Sequence, residues 1–283
     1  MVDAVFVGGG IIGLSAAYRA QQRGLDVLVL ERDRVGSGAS RVAAGVLAPV
    51  GDELGRRSLD LYPDFVHELG DVGFWQCGLL DVTTGLFSEG DASVDPRRLV
   101  DALATRVPVR EGVEVAEISR DAATTTTGER IHAGRVVVCA GAWSGIAGVP
   151  VRPVKGQVVR LHGELQLRHI IQSEHIYIVP RQNGEVVVGA TVEECGFDAT
   201  VTQDATDELL REAARVLPAI ADLEIVDASA GLRPAMPDDR PLIGALADGV
   251  LVATGHYRNG ILLAPATAEA IAAMLVGEPS ALA

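Results

Sequence analysis

Positive charge is scarce in this sequence of 283 residues. Lysine and arginine together number 24 against 38 aspartate and glutamate residues, which leaves a formal net charge of −14 at pH 7. A single lysine, Lys155, stands among the arginines, and we interpret this as coding bias. Binding to nucleic acid or to an anionic membrane surface requires clustered cations. The charge balance therefore argues against both kinds of partner and favours solubility.

Cysteine is also scarce, with three residues that lie far apart in the chain. Cys77, Cys139 and Cys195 form no Cys-x-x-Cys pair and no cluster with histidine, so the sequence predicts no metal site. We expect three small, buried or half-buried side chains in a reducing compartment.

The sequence has no recognisable secretory leader and no long apolar run. Its start, Met1-Val2-Asp3, lacks a basic segment. The longest uncharged stretch, 136–151, contains three glycines and a proline, which is not typical of a membrane-spanning helix. We therefore expect a cytoplasmic protein with no membrane partner.

The N-terminal segment carries a pattern typical of dinucleotide binding. Its parts are a short apolar strand over 4–7, the glycines Gly8, Gly10 and Gly13, a helix over 14–23, an apolar strand over 27–30 and then Glu31. The glycines allow a tight turn, close approach of a pyrophosphate and close packing of the helix on the strand. Glu31 can accept hydrogen bonds from ribose hydroxyls and would repel a 2′-phosphate, which disfavours NADP. The motif predicts a cofactor that contains ADP, and it leaves FAD and NAD both open.

The rest of the chain shows two kinds of strand pattern. Buried strands recur near residues 137 and 252, whereas segments between 154 and 192 alternate as antiparallel strands do. The layout predicts an α/β fold in which a discontinuous Rossmann-like domain accompanies a smaller antiparallel-sheet (α+β) domain. We place the first domain at 1–57, 93–150 and 227–283, and the second at 58–92 and 151–226. Locally, we expect a helical pattern broken by Pro63, a strand over 74–82, a helix that starts at Asp95-Pro96 and a hairpin turn at 182–184.

Several longer motifs extend the pattern along nearly the whole chain. They are Gly38-Ala39-Ser40, 43–47 (AAGVL), 138–144 (VCAGAWS), 153–157 (PVKGQ), 177–181 (YIVPR), 230–234 (AGLRP), 239–244 (DRPLIG) and 255–265 (GHYRNGILLAP). With the glycine motif, they resemble the FAD-dependent amino-acid and amine oxidases of the D-amino-acid oxidase superfamily, and most of all the glycine oxidases of thiamine biosynthesis. The chain is shorter than typical members. The missing piece falls between about Leu80 and Ser93, where the family's substrate domain carries an extra strand and helix.

The resemblance implies noncovalent FAD, because no cysteine lies in the loops of 231–263 that would face the flavin. The backbone of 45–47 would run along the flavin ring, and Val115 would meet the adenine. A helix that begins near Ile261 would point its positive end at the flavin. The residues that the resemblance assigns to FAD are Gly8, Gly10, Ile11, Ile12, Gly13, Glu31, Arg32, Ser40, Ala43, Ala44, Gly45, Leu47, Val115, Ala140, Gly141, Trp143, His256, Arg258, Asn259, Gly260, Ile261 and Leu262.

The resemblance also implies a site for a small amino acid or amine. Arg233 would bind the substrate carboxylate through its planar guanidinium, and Tyr177 would add its hydroxyl. Arg258 would contact substrate, flavin or both. His175, two residues before Tyr177, would form a wall of the site on the same strand face. His256 is expected to shape the flavin loop rather than to act as a base.

The activity that this resemblance implies is oxidation of glycine or another small amino acid or amine. A hydride passes from Cα to flavin N5, O2 reoxidises the flavin to give H2O2, and the imine hydrolyses to glyoxylate and ammonia or serves thiazole synthesis for thiamine. Two alternatives stay open: an FAD-dependent dehydrogenase of sarcosine or D-amino acids, and an FAD-binding subunit that needs a partner chain. A homo-oligomer also stays open.

Overall fold

The computed structural model describes residues 1–49 and 53–279, which form six α-helices and three sheets. The helices are α1 (Ile11–Gln22), α2 (Ala39–Val42), α3 (Glu53–Leu69), α4 (Pro96–Ala104), α5 (Gln203–Val216) and α6 (Gly260–Val276), with 3-10 turns at Gly141–Ala147, Pro218–Asp222 and Tyr257–Asn259. The strands are β1 (Val2–Val7), β2 (Val27–Leu30), β3 (Val46–Leu47), β4 (Leu79–Asp81), β5 (Leu86–Ser88), β6 (Ala92–Ser93), β7 (Val109–Arg110), β8 (Val115–Ser119), β9 (Ala122–Thr125), β10 (Arg130–Val138), β11 (Arg152–His162), β12 (Ile170–Gln172), β13 (Tyr177–Pro180), β14 (Glu185–Gly189), β15 (Glu224–Ala235), β16 (Leu242–Ala245) and β17 (Leu251–Thr254).

The first sheet is mostly parallel, and it collects strands from three separate parts of the chain. Its order is β16-β17-β10-β1-β2-β7, and the hairpin β8–β9 joins it through β10. Strand β1 runs parallel to both β10 and β2, and β17 runs parallel to β10. The predicted discontinuous α/β domain is therefore confirmed. Because parallel strands end at the same edge, the loops after β1, β2, β10 and β17 meet there, where such sheets bind ligands.

The second sheet is antiparallel except where β12 pairs with β4, and its order is β15-β11-β14-β13-β12-β4-β5. Alternate side chains of its strands face opposite sides. On one side, Leu161 packs with Leu209 of α5. On the other side, Val158 and Val187 pack with Ala44, which belongs to the loop region after α2. The predicted smaller antiparallel domain is confirmed, and one of its faces is turned towards the first sheet.

Helix α6 is apolar on all sides except at Glu269, and it packs against α1 and α3. By length and composition alone, the segment Tyr257–Val276 could cross a bilayer. Most of its residues are buried inside the protein, so its composition is that of a core helix.

A proline near the start of α6 interrupts its hydrogen bonding, and α3 compensates for the interruption. Pro265 has no N–H to donate to the Ile261 carbonyl one turn earlier. The Tyr62 hydroxyl donates to that carbonyl instead, at 2.5 Å, and Ser58 accepts from the Ala266 N–H at 3.1 Å. Burial raises the pKa of Tyr62 far above its usual range, so the hydroxyl stays a donor. Helix α3 thereby fixes the first turns of α6.

Some local features differ from the sequence-based expectations. Pro63 lies inside the unbroken helix α3, whose apolar face keeps packing on both sides of it. The strand expected over 74–82 is confined to β4, because Gly78 takes a positive φ of 72° just before it. Cys195 is exposed, whereas we expected every cysteine to be at least half-buried. The helix start at Asp95-Pro96 is confirmed, with the Asp95 carboxylate accepting from the backbone of the first turn.

The domain boundaries expected after residues 57 and 226 fall inside two continuous elements. The first lies within α3, which packs on α6 beside the first sheet, and the second lies within β15, which pairs with β11 along its whole length. The exact division of the chain into domains stays a prediction.

The contact between α3 and α6 can be tested by mutation. Tyr62→Phe leaves the Ile261 carbonyl buried without a donor, so the free energy of unfolding should fall by about 1–3 kcal/mol. Pro265→Ala restores a backbone N–H to the same carbonyl and should recover most of that loss in the double variant. Urea unfolding of both single variants and the double variant measures the coupling. If the double variant loses as much stability as expected from the two single variants, the hydrogen bond from Tyr62 to the Ile261 carbonyl is not the source of the stabilisation.

Candidate active site

The glycine loop brings β1 and α1 into close contact. A Cβ atom built on Gly13 would overlap the carbonyl oxygen of Gly8, and one built on Gly8 would overlap the backbone after β10. Gly10, which precedes α1, has no side chain to cap the helix, and the Ser40 hydroxyl accepts from the Ile11 N–H at 2.9 Å. The first turn of a helix lacks intrahelical acceptors for its N–H groups and carries a positive dipole end, so the start of α1 favours an anion.

Glu31 follows β2 and is held against the glycine loop. Its Oε2 accepts from the Gly9 N–H at 2.7 Å, and its Oε1 accepts from the Asp33 N–H at 2.9 Å. Each carboxylate oxygen keeps a further lone pair, so the oriented carboxylate can still accept hydrogen bonds from a ligand. The ribose role of Glu31 stays a prediction.

A cavity of about 530 Å3 lies between the ligand-binding edge of the first sheet and the face of the second. Twenty of the expected site residues line it: Gly8, Gly10, Ile11, Ile12, Glu31, Arg32, Ser40, Ala43, Ala44, Gly45, Val115, Ala140, Gly141, Trp143, Tyr177, Arg233, His256, Arg258, Gly260 and Ile261. Five expected residues do not line it: Gly13, Leu47, His175, Asn259 and Leu262. The structure thus brings most of the predicted residues together.

The five residues outside the lining have different surroundings. Gly13 serves the packing of α1, and Leu47 and Leu262 are buried in the core. Asn259 is exposed. His175 is exposed as well, so the expectation that it forms a wall of the site is wrong: β13 begins only at Tyr177, and the residues before it form a turn, to which strand alternation does not apply.

The side chain of Arg233 crosses strand β11 of the second sheet within the site. It lies on β15 opposite Val154 of β11, and its guanidinium extends over Gly156. A Cβ atom on Gly156 would overlap the guanidinium, so only glycine leaves this path open. Its Nη1 donates to the carbonyl of Thr191, beyond β11, at 3.0 Å and to that of Lys155 at 3.3 Å. Burial lowers the pKa of Arg233, and arginine in such a position still carries its charge at neutral pH.

Tyr177 lies beside Arg233 and also covers a glycine. It is opposite Gly189 in the β13–β14 pair, and a Cβ atom there would be 2.8 Å from the tyrosine ring. The positive charge of the Arg233 guanidinium lies near enough to the Tyr177 hydroxyl to oppose part of the effect of burial on the pKa of Tyr177. Burial raises the pKa of Tyr177, so the hydroxyl stays protonated and can donate to an anion. The two side chains form a donor pair on the cavity side of the second sheet.

The loop after β17 adds a second cation and an unexpected tyrosine. Arg258 is exposed at the cavity, and its guanidinium carbon lies 5.3 Å from the centre of the Tyr257 ring. Tyr257 lines the cavity with a φ of 47°, a value that is rare outside glycine and often found at functional sites. His256 is buried with Nε2 3.0 Å from the Thr267 hydroxyl oxygen, and burial lowers the pKa of His256 to about 3. The imidazole is therefore neutral at neutral pH.

Two buried arginines of the second sheet hold the loop that lines the cavity, and the sequence reasoning missed both. Arg160 pairs with Glu185 at 3.0 Å and donates to the carbonyls of 41–43 at 3.2 to 3.4 Å. Arg181 donates to the Ala44 carbonyl at 2.5 Å and to a carbonyl before α4 at 2.7 Å. Burial lowers the pKa of Arg181 to about 10, so it stays charged at neutral pH. The available signal was the YIVPR motif, which ends on Arg181.

The acidic residues that line the cavity lie on the side of the first sheet. Glu31, Asp33 and Glu114 all follow or adjoin its strands, with Arg32 between the first two, whereas Arg233 lies on the second sheet. Within the described parts of the chain, no group of three or more metal-ligating side chains is found. The site therefore offers an anion-binding pair on one side and hydrogen-bond acceptors on the other.

Comparison with known proteins identifies the family. The family described as "FAD dependent oxidoreductase" (DAO) matches residues 3–85 and 81–274. The chain belongs to this family. The bifunctional protein ThiO/ThiG of Trichormus variabilis is 33% identical over 98% of this chain and 53% of its own length. The glycine oxidase of Bacillus licheniformis is 31% identical over 98% of this chain and 94% of its own.

Solved structures of the DAO family share the fold. The crystal structure of glycine oxidase from Geobacillus kaustophilus matches with a TM-score of 0.92 at 28% identity, over 99% of this chain and 96% of that one. The chain spans about half the length of the bifunctional relatives. The alignment with the Bacillus licheniformis glycine oxidase runs over 345 positions, more than the 283 residues of this chain, so it contains gaps in this chain. The expected place of the shortening, between Leu80 and Ser93, stays a prediction.

Membership of the DAO family implies FAD, and the residues present fit that cofactor. The first turn of α1 lines the cavity with its positive dipole end, which favours a pyrophosphate, and Glu31 offers oriented acceptors next to it. One cavity includes Glu31 as well as Gly260 and Ile261 at the start of α6. An ADP half and a flavin half can therefore be held in the same space.

The arginine contacts to the loop over 41–44 predict a role in cofactor binding. Arg181→Met leaves two buried carbonyls without donors, so we expect the loop to shift and the Kd for FAD to rise at least about tenfold. Reconstitution of apoprotein with FAD, followed by flavin fluorescence, measures the Kd. Arg168→Met, at an exposed arginine on the same sheet's connecting loop, is the control and should bind FAD as the unmodified protein does. Equal Kd values for the two variants would show that the loop does not depend on Arg181.

The crossing of Arg233 over Gly156 predicts a second, more selective effect. Gly156→Ala places a methyl group where the guanidinium lies, so the Kd for a simple carboxylate such as acetate should rise at least about tenfold, with FAD still bound. Acetate titration of the holoprotein, followed by flavin absorbance, measures this affinity. Gly244→Ala, at a strand glycine with open space around it, is the matched control. The role of Gly156 is refuted if both variants bind acetate equally well.

Proposed function

We propose that this chain is an FAD-dependent oxidase of glycine or another small amino acid. The observation that carries the proposal is the donor pair of Arg233 and Tyr177, which lies in the same cavity as the glycine loop. Membership of the DAO family and about 30% identity to glycine oxidases support this class of reaction.

The substrate carboxylate would meet Arg233 and Tyr177. Because two carbonyls hold Nη1 of Arg233, the guanidinium has a fixed orientation and can bind the carboxylate without first losing side-chain freedom. Arg258 adds a second positive charge at the exposed side of the cavity. Binding through fixed donors would hold the substrate carboxylate in the same way in the ground state and in the transition state.

The amine of the substrate would meet no carboxylate beside the donor pair. The acidic residues among those that line the described cavity belong to the glycine-loop side. Burial lowers the pKa of His256 to about 3, and its Nε2 contacts Thr267, so the imidazole is too weak a base to take a proton from the substrate. These surroundings favour the neutral amine, whose nitrogen lone pair assists loss of a hydride from Cα.

The apolar lining near Tyr177 favours a small substrate. Val42, Val158 and Ala190 give this part of the cavity an apolar wall, and Val192 lines it with 49% of its surface exposed. When bound, FAD supplies a hydride acceptor that O2 can reoxidise with release of H2O2. The imine product would hydrolyse to glyoxylate and ammonia or be used for the thiazole of thiamine, a role supported by the resemblance to the glycine oxidases of thiamine biosynthesis.

The visible spectrum of the purified holoprotein tests the proposal. We expect flavin bands that bleach on anaerobic addition of glycine and that return in air with formation of H2O2. Bands that stay oxidised with glycine but bleach with sarcosine or D-alanine would assign the site to those amines. Bands that respond to none of the three would indicate a subunit that needs a partner chain.

The carboxylate role of Arg233 predicts a large effect on substrate affinity. Arg233→Ala should keep FAD bound and raise the KM for glycine at least about a hundredfold, which is the scale of a lost buried charge pair. Steady-state H2O2 release measures KM. Arg240→Ala removes an exposed arginine a few residues away and should leave KM unchanged. A normal KM in Arg233→Ala would show that another group binds the carboxylate.

A further inference from the structure

The chain that follows β14 continues beside β11 as an irregular strand. The Lys155 N–H donates to the Glu193 carbonyl at 2.9 Å, and the Glu193 N–H donates to the Lys155 carbonyl at 3.0 Å. Closer to β14, the Thr191 N–H donates to the Gln157 carbonyl at 3.2 Å. This irregular strand carries the Thr191 carbonyl, which is one of the two acceptors that hold the guanidinium of Arg233.

The Glu193 carboxylate ties the irregular strand to β11 through two side chains. Its Oε2 accepts from the Lys155 ammonium at 3.1 Å, and its Oε1 accepts from the Thr191 hydroxyl at 2.6 Å. The Thr191 hydroxyl oxygen also accepts from the Gln157 N–H at 2.9 Å. The Lys155 side chain is only 3% exposed, and an ammonium so buried requires an anion. Glu193 supplies the one ion pair of Lys155 found among the described residues.

The two residues that Glu193 holds are the same two whose carbonyls accept from Arg233. Nη1 of Arg233 donates to the carbonyls of Thr191 and Lys155, and the Glu193 carboxylate binds the side chains of both. We propose that Glu193 is a positioning residue for the Arg233 guanidinium, acting through Lys155 and Thr191. This inference rests on the proposed role of Arg233 as the group that binds the substrate carboxylate.

The consequence is a selective loss of carboxylate affinity when Glu193 is neutralised. In Glu193→Gln the buried Lys155 ammonium loses its anion, so the irregular strand should loosen and the two carbonyls should no longer hold the guanidinium. We expect the Kd for acetate and the KM for glycine to rise about tenfold, the scale of coupling within one hydrogen-bond network. The kcat should change less than about twofold, because the carboxylate is bound alike in ground and transition states.

The adjacent glutamate provides a matched control. Glu194 is exposed and pairs with Arg152 on the surface at 2.7 Å. Glu194→Gln makes the same chemical change one residue away, and it should leave the Kd for acetate, KM and kcat as they are in the unmodified protein.

The single lysine gives a readout that does not depend on catalysis. Acylation of the holoprotein with an N-hydroxysuccinimide ester, followed by peptide mapping, separates Lys155 from the α-amino group. We expect Lys155 to be protected in the unmodified protein and in Glu194→Gln, and to react in Glu193→Gln. Protection of Lys155 in all three proteins would overturn the proposal, because the ion pair would then not hold the strand.

A second pair of variants covers the case in which Glu193→Gln fails to fold. Thr191→Val removes the hydroxyl at nearly constant size and should raise the Kd for acetate about tenfold, whereas Thr191→Ser keeps the hydroxyl and should stay near the unmodified value. Equal acetate affinity in Glu193→Gln and Glu194→Gln, or in the two Thr191 variants, would overturn the proposal. Failure of the unmodified holoprotein to bind acetate would instead refute the proposed function and this inference with it.

Discussion

The site depends on a loop of the first domain whose backbone is held by cations of the second sheet. The carbonyls of 41–44 accept hydrogen bonds from Arg160 and Arg181, and both guanidinium groups are buried. A buried cation is costly unless it is paired and hydrogen-bonded, so the contacts of these two arginines to the carbonyls constrain the loop more strongly than apolar contact would. The same loop lines the cavity beside Val158, where the two sheets face each other. The spacing between the sheets, and with it the width of the cavity, follows from these contacts.

Features set by neighbouring residues could be predicted from the sequence. The glycine loop, the strand that ends at Glu31 and the helix that begins after Asp95 each depend on spacings of a few residues, and the structure has all three. The fold class followed from the contrast between buried and alternating strands. The donor pair of Arg233 and Tyr177 came from family motifs, because no spacing in the chain relates two residues that are 56 positions apart.

Features set by strand register could not be predicted. Gly156 and Gly189 matter because Arg233 and Tyr177 lie across them, and those pairings depend on how strands separated by many residues align. For His175, in contrast, a position was predicted and the prediction was wrong. The rule that side chains alternate between the two faces of a strand was used for a residue that lies before β13 begins. The rule therefore does not predict on which side His175 lies. In this sheet, Arg233 and Tyr177 each lie across a glycine of another strand. A Cβ atom on that glycine would occupy the space of the arginine or the tyrosine side chain.

The number of hydrogen-bond acceptors around a buried cation favours either arginine or lysine at that position. Arg160 and Arg181 each reach at least two acceptors, which suits a planar group with five N–H donors. Lys155 meets the Glu193 carboxylate at one point, which suits a compact ammonium. An arginine in place of Lys155 would bring five N–H donors to a position where the ammonium meets one carboxylate, and each buried donor left without an acceptor costs about 1–3 kcal/mol. The geometry around Glu193 therefore gives a physical reason for a lysine at this position of β11.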